Sequence, residues 1–167
     1  MILTDPDLAL IELNRLTQDA SCPALSAEET LDILERHKRA SLWTVSTAFE
    51  IGAVVIPTLS NRNGHRYRAI QYTDAGTDQQ TGATEPTWST VRDARITDNH
   101  VVWQEDGDDY GAVLWDLMAA ARDGWLLKAA KATKRVDFET QSIGVTASQL
   151  YDHCIDMANK YQSVFVL

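Results

Sequence analysis

Several groups of residues have types and spacings that could do chemistry. The run Asp106-Gly107-Asp108-Asp109-Tyr110-Gly111 puts acids at the first and third positions of a calcium loop and a glycine at the sixth. The fifth position is Tyr110, however, and the twelfth, where a bidentate glutamate is required, is Leu117. The run therefore reads as a solvated acidic segment with Asp108 or Asp109 capping a following helix. His37, His65, His100 and His153 are scattered, and adjacent His153 and Cys154 point different ways on one helix, so spacing assembles no zinc set. No nucleophile elbow, phosphate loop, dinucleotide fingerprint or helix-borne metal pair occurs, and the expectation is a protein without catalytic residues, metal or cofactor.

Two basic groups remain. Lys128, Lys131, Lys134 and Arg135 share a helix face at spacings of three and four and could face phosphates; cations at a helix C-terminal end also complement the dipole without any ligand. Arg62, His65, Arg66 and Arg68 form the second, with Arg66 and Arg68 on one side of a strand and Tyr67 on the other. That edge either meets an acidic partner or discourages edge pairing. The stretch TGATEPTW, Thr81–Trp88, is a rigid elbow, because Pro86 biases Glu85 toward extended geometry and so delivers Trp88 to a fixed place. Trp43, Tyr67 and Trp88 could stack on sugar faces; together with Trp103 they are also the large plugs that a small β module needs for a core.

The elements that must position these groups fall into three segments. Residues 1–42 read as two helices. Asp5 caps the first with Pro6 at its opening position, Leu10, Leu13 and Leu16 or Thr17 recur along it, and Ser26 with Glu29 makes a capping box for the second, whose apolar face is Leu31, Leu34 and Leu42. Residues 43–107 change to strand patterning, with an Asn61–Gly64 turn, the strand HRYRAIQY and a hairpin turning at Asp98-Asn99 whose inward face carries Val91, Ile96, Val101 or Val102, and Trp103. Residues 108–167 open with a long helix of about 25 residues and roughly 38 Å. Its stripe Leu114, Leu117, Ala121, Trp125 and Ala129 wants neighbours on more than one side. Thr146 and Gln149 box the final helix, and the chain closes on apolar Ser163, Val164, Phe165, Val166 and Leu167, which are expected to dock on something. The fold class predicted is α+β: a bundle of about four helices, one of them long, with a small antiparallel β domain inserted between helices 2 and 3.

Bulk properties bound the function. A chain of 167 residues with 44% apolar content buries a core, and a net charge of -9 argues against general affinity for nucleic acid or anionic membrane. Cys22 and Cys154 carry no CxxC spacing; two buried thiols in a reducing cytoplasm are the simplest account, and a disulfide is the alternative. No leader or bilayer-length apolar run is evident.

Two stretches go beyond composition. The segment GAVVIPTLSNRNGHRYRAIQYTDAGTDQQTGATEPTWSTVRDARITDNHVVWQ resembles a small β module common in structural proteins of tailed phages, with Asp98-Asn99 where an Asp-Gly hairpin turn is usual. The segment GWLLKAAKATKRVDFETQSIGVTASQLYDHCIDMANKY resembles the C-terminal region of phage head-to-tail connector adaptors, through Trp125, Lys128, Lys131, Asp137, Phe138, Ser148, Gln149, Tyr151 and His153. That resemblance implies a structural virion protein: a homo-oligomeric ring of twelve copies bound beneath the portal protein, assembled in the host cytoplasm and located in the virion neck. It would extend the DNA channel, touch genomic DNA transiently and without specificity, and offer a platform to the next connector, stopper or tail protein. In this reading Ser163–Leu167 dock on the portal, Leu114, Leu117, Ala121, Trp125 and Ala129 pack between subunits, Lys128, Lys131, Lys134 and Arg135 face the channel, and the β module meets capsid. The alternative is a carbohydrate-binding or capsid-decoration module using Trp43, Tyr67 and Trp88.

Overall fold

The computed structural model describes residues 5–18, 22–73, 79–109, 111, 113–136 and 147–162. The protein is α+β, with four helices and a five-stranded mixed sheet in the order α1 (Pro6–Thr17), α2 (Ala27–Arg36), β1 (Ser41–Leu42), β2 (Val54–Ile56), β3 (His65–Tyr72), β4 (Arg95–Asp98), β5 (Val101–Asp108), α3 (Leu117–Val136) and α4 (Ala147–Lys160). The chain divides into a sheet unit, Arg39–Leu114, and a helical unit, Asp5–Lys38 with the chain from Trp115 onward. The expected boundaries at 42/43 and 107/108 thus shift outward. Ser41–Leu42 pair with β2 as a strand, and β5 runs to Asp108 before the chain leaves the sheet.

In the sheet unit the strand order is β1-β2-β3-β5-β4. All neighbours are antiparallel except β1 and β2, which are parallel, so the expectation of a purely antiparallel sheet is corrected. The hairpin β4–β5 pairs Asp98 with Val101, which makes Asn99-His100 the turn; Asn99 takes the left-handed φ of 53° that asparagine tolerates. The core joins Val55, Tyr67, Ala69, Val101 and Trp103 to Trp43 and Trp88, with Phe49, Tyr72 and Ile96 packed against it. Val91, expected to point inward, is 68% exposed, because residues 91–93 turn before β4 begins.

The helical unit begins as its local signals dictate. Asp5 caps α1 by accepting from the Asp7 N–H, Pro6 stands at the first turn, and Ser26 and Glu29 exchange both bonds of a capping box at α2. The buried face of α1 is Ala9, Leu13 and Thr17, and that of α2 is Thr30, Ile33 and Leu34. Leu31 is 49% exposed, and Leu42 belongs to β1, so neither lies on the buried helical face expected for it. α3 has 20 residues, about 30 Å, and is shorter than predicted. Its first turn is capped by Asp116, whose Oδ1 accepts from the Ala119 N–H at 3.0 Å, and not by Asp108 or Asp109. Asp109 is held instead by Arg62 and by the N–H of Gly111, which sits at φ 68°. Gly124 lets α1 approach α3: a Cβ there would meet Thr17 Cγ2 at 2.8 Å. Thr146, expected to cap α4, lies outside the described residues.

Candidate functional site

The elbow that delivers Trp88 is tied by one carboxylate. Glu85 accepts from Thr58 N–H at 2.8 Å, Thr58 Oγ1 at 2.5 Å, Asn61 Nδ2 at 2.6 Å and Trp88 Nε1 at 2.8 Å. Burial is the largest single influence on this group and pushes its carboxyl up, but the donations from Thr58, Trp88 and Asn61 together outweigh it, leaving the carboxyl below its ordinary range. The Trp88 ring then lies 4.3 Å from that of Tyr67 and 6.2 Å from that of Trp103. The Tyr67 hydroxyl donates to Ser89 O, and burial raises its phenol.

A second carboxylate, Asp98, lies inside the same core at 3% exposure. Its Oδ2 accepts from the indoles of Trp43, at 2.7 Å, and Trp103, at 3.2 Å, and its Oδ1 from Gly82 N–H at 2.8 Å. All four aromatic anchors are therefore internal: Trp43 is 7%, Tyr67 0%, Trp88 8% and Trp103 0% exposed. The alternative that Trp43, Tyr67 and Trp88 present a sugar-stacking face is corrected, because the rings face one another and their polar atoms are occupied from within.

The basic run, expected as an exposed strand edge, and the acidic run, expected as a solvated segment, meet across β3 and β5. Arg62 binds Asp109, His65 Nδ1 lies 2.8 Å from Glu105 Oε1, and Asp106 Oδ2 accepts from Arg66 Nε at 3.1 Å and Arg68 Nη2 at 2.8 Å. β3 is an interior strand of the sheet, so the expected basic edge is not an edge. His65 is the first cause of the lowered carboxyl of Glu105, helped by the N–H groups of Gly107 and Asp93 against burial. At Asp106 burial acts first and upward, and the Arg68 and Arg66 bonds win. Beside this ladder opens a cleft of about 460 Å³ lined by His65, Arg66, Thr90, Arg92, Glu105 and Asp106. A buried carboxylate that holds one imidazole nitrogen can orient a histidine for proton transfer. Here the same carboxylate also clasps two backbone N–H groups, which gives it a structural task.

In the helical unit two cations of the stripe, Lys128 and Lys131, are engaged within the chain. Lys128 is 2% exposed, with Nζ 4.8 Å from the Trp125 ring centroid, and Lys131 Nζ binds Glu29 and the Ala24 carbonyl. Lys134 is exposed, and the Arg135 side chain lies outside what is described. The stripe expected to pack between subunits is likewise covered within one chain: Leu114 is 4%, Leu117 8%, Ala121 0%, Trp125 0% and Ala129 2% exposed. The cause for the residues of α3 is α4, which together with α1 and α2 supplies the apolar neighbours that a second copy was expected to bring. Ser163–Leu167, Asp137 and Phe138 lie outside the described residues. Among the described residues no group of three or more His, Cys, Asp or Glu could hold a metal ion, and no helix is long and apolar enough to cross a membrane.

Sequence reasoning missed Asp98, Glu85 and Glu105 as organising carboxylates. Only Glu85 left a local signal, standing three residues before Trp88 in the elbow. The chain matches no protein-family description, no curated protein and no solved structure.

Proposed function

We propose that the protein is a structural subunit of a tailed-phage neck, a head-to-tail adaptor that assembles as a ring of twelve copies under the portal, extends the DNA channel and receives the next connector or tail protein. In this reading the sheet unit is a module inserted between α2 and α3 of a helical adaptor, projecting to meet capsid.

One observation carries it. The entry and exit of the sheet unit are hydrogen-bonded to each other, since the N–H groups of Arg39 and Ala40 both donate to Leu114 O, at 2.7 and 3.3 Å. The helical unit closes on its own side of the same point: Lys38 and Trp115 form a bridge, and Asp116 N–H donates to His37 O at 2.9 Å. Adjacent ends are what allow one module to sit within another without disturbing it. That layout accords with the two resemblances in the sequence, a β module flanked by the segments of an adaptor.

Two further features support the reading. A net charge of -9 suits a conduit past which DNA slides, because phosphate affinity comes from cations. Leu8 and Ile11, one turn apart on α1 and 42% and 64% exposed, supply apolar surface at a subunit boundary in place of the α3 stripe buried within the chain. The test is to mix the full chain with portal rings of its own phage and image the particles. Added ring density at the portal's narrow end, lost on removal of Ser163–Leu167, is expected; no association at high concentration of both proteins overturns the proposal.

A further inference from the structure

Cys22 and Cys154 are 132 positions apart in the chain, yet their Sγ atoms lie 3.1 Å apart inside the helical unit. A bonded pair stands at about 2.05 Å, so closure asks for a sulfur movement of about 1 Å. Cys22 lies in the connector between α1 and α2, where no helical hydrogen bond restrains it, and Cys154 lies on α4. Around them pack Trp125, Ala129 and Ala158. The two thiols differ in access. Both are buried, Cys154 at 0% and Cys22 at 7% exposure, but Cys22 lines a cavity of about 460 Å³ together with Asn14, Thr17, Gln18 and Leu25.

We propose that Cys22 and Cys154 are a redox-convertible pair, with Cys22 the entry thiol and Cys154 the resolving thiol, oxidised by low-molecular-weight disulfides that reach Cys22 through the cavity. The Cys22 thiolate attacks one sulfur of the small disulfide, forming a protein mixed disulfide and releasing one thiolate. The Cys154 thiolate then attacks Cys22 Sγ, closing the protein disulfide and releasing the second thiolate. Two protein thiols lose two protons and two electrons, and one small disulfide is reduced to two thiols. The bond ties the α1–α2 connector to α4 and closes a loop spanning most of the chain, a constraint that acts mainly on the unfolded state. The inference does not depend on the role proposed above.

The test treats the reduced full-length protein, in native buffer, with 2-hydroxyethyl disulfide and follows intact mass and linked peptides. The wild type is expected to lose two hydrogens and to yield one cross-linked pair of peptides carrying Cys22 and Cys154. Cys154→Ala stops with one hydroxyethylthio group on Cys22, and Cys22→Ala leaves Cys154 unmodified. Circular dichroism confirms that both variants are folded, and the oxidised wild type is expected to melt about 5 °C or more above the reduced form. A wild type that retains the mixed adduct without closing overturns the pairing. Modification of Cys154 in Cys22→Ala as fast as of Cys22 in Cys154→Ala overturns the order of attack. Thiols that react only in denaturant overturn the access route.

Discussion

The indole nitrogen of Trp43 donates to Asp98 Oδ2 at 2.7 Å across 55 positions of sequence, and the carboxylate it meets is buried among rings. Because Trp103 and Gly82 donate to the same group, Asp98 joins the segment before β2, the elbow and the β4–β5 hairpin in one knot. A buried carboxylate in an aromatic core is costly unless its lone pairs are filled, and here three donors fill them.

Removing that acceptor strands three donors. Asp98→Ala is expected to destabilise the sheet unit by about 3–5 kcal/mol. Asp98→Asn retains one acceptor oxygen and turns an NH₂ toward donors, so it should fall between the wild type and Asp98→Ala. Urea unfolding followed by tryptophan emission measures both; an alanine variant within about 1 kcal/mol of wild type would show that the knot contributes little.

Acid should weaken the fold through the paired carboxylates. Glu85, Glu105 and Asp106 all titrate lower in the folded chain than the ordinary values of 4.5 for glutamate and 3.8 for aspartate. A depressed folded value means the unfolded chain binds protons first, so the stabilisation is present above those ordinary values and disappears as pH falls through the lower folded ones. Urea midpoints should be nearly flat from pH 7 to about 5 and drop progressively below about 4.5. Glu85→Gln should flatten part of that drop, and an unchanged slope would remove Glu85 from the account.

At Gly124 two effects of opposite sign compete. Alanine in mid-helix gains about 1 kcal/mol in propensity. The new methyl, however, would lie 2.8 Å from Thr17 Cγ2 and 3.3 Å from Leu25 Cδ1, and overpacking costs about 1–3 kcal/mol. Net destabilisation of about 0.5–2 kcal/mol is expected for Gly124→Ala. Thr17→Ser removes the clashing methyl and should restore much of it in the double variant; a more stable single variant would show that α1 yields freely.

Calcium should have no effect on the acidic run. Asp106, which would fill the first ligand position of a calcium loop, already accepts from Arg66 and Arg68, and the neighbouring Asp109 is held by Arg62. Millimolar calcium is therefore expected to leave the melting temperature unchanged relative to magnesium. A calcium-specific rise would mean that the arginines release these carboxylates.

What could be read in the sequence was what neighbouring residues decide among themselves. Asp5 with Pro6, Ser26 with Glu29, the alternation of HRYRAIQY and the turn at Asn99 all act within a few positions of the chain, and the helices and strands they predict are present. α3 is shorter than expected because Asp109 and Asp116 are both caps by type, and Asp109 is taken up by the distant Arg62 and by the Gly111 N–H. The same distinction separates the charged runs: Arg62–Arg68 and Glu105–Asp109 each look solvated alone, and they neutralise one another only when β3 lies beside β5. Tertiary structure alone turned Trp43, Tyr67 and Trp88 inward, covered Trp125 and Ala129 with α4, and brought Cys22 to Cys154. Local backbone preferences are encoded within a turn or two of chain, whereas burial and charge pairing depend on which distant surfaces exclude water together.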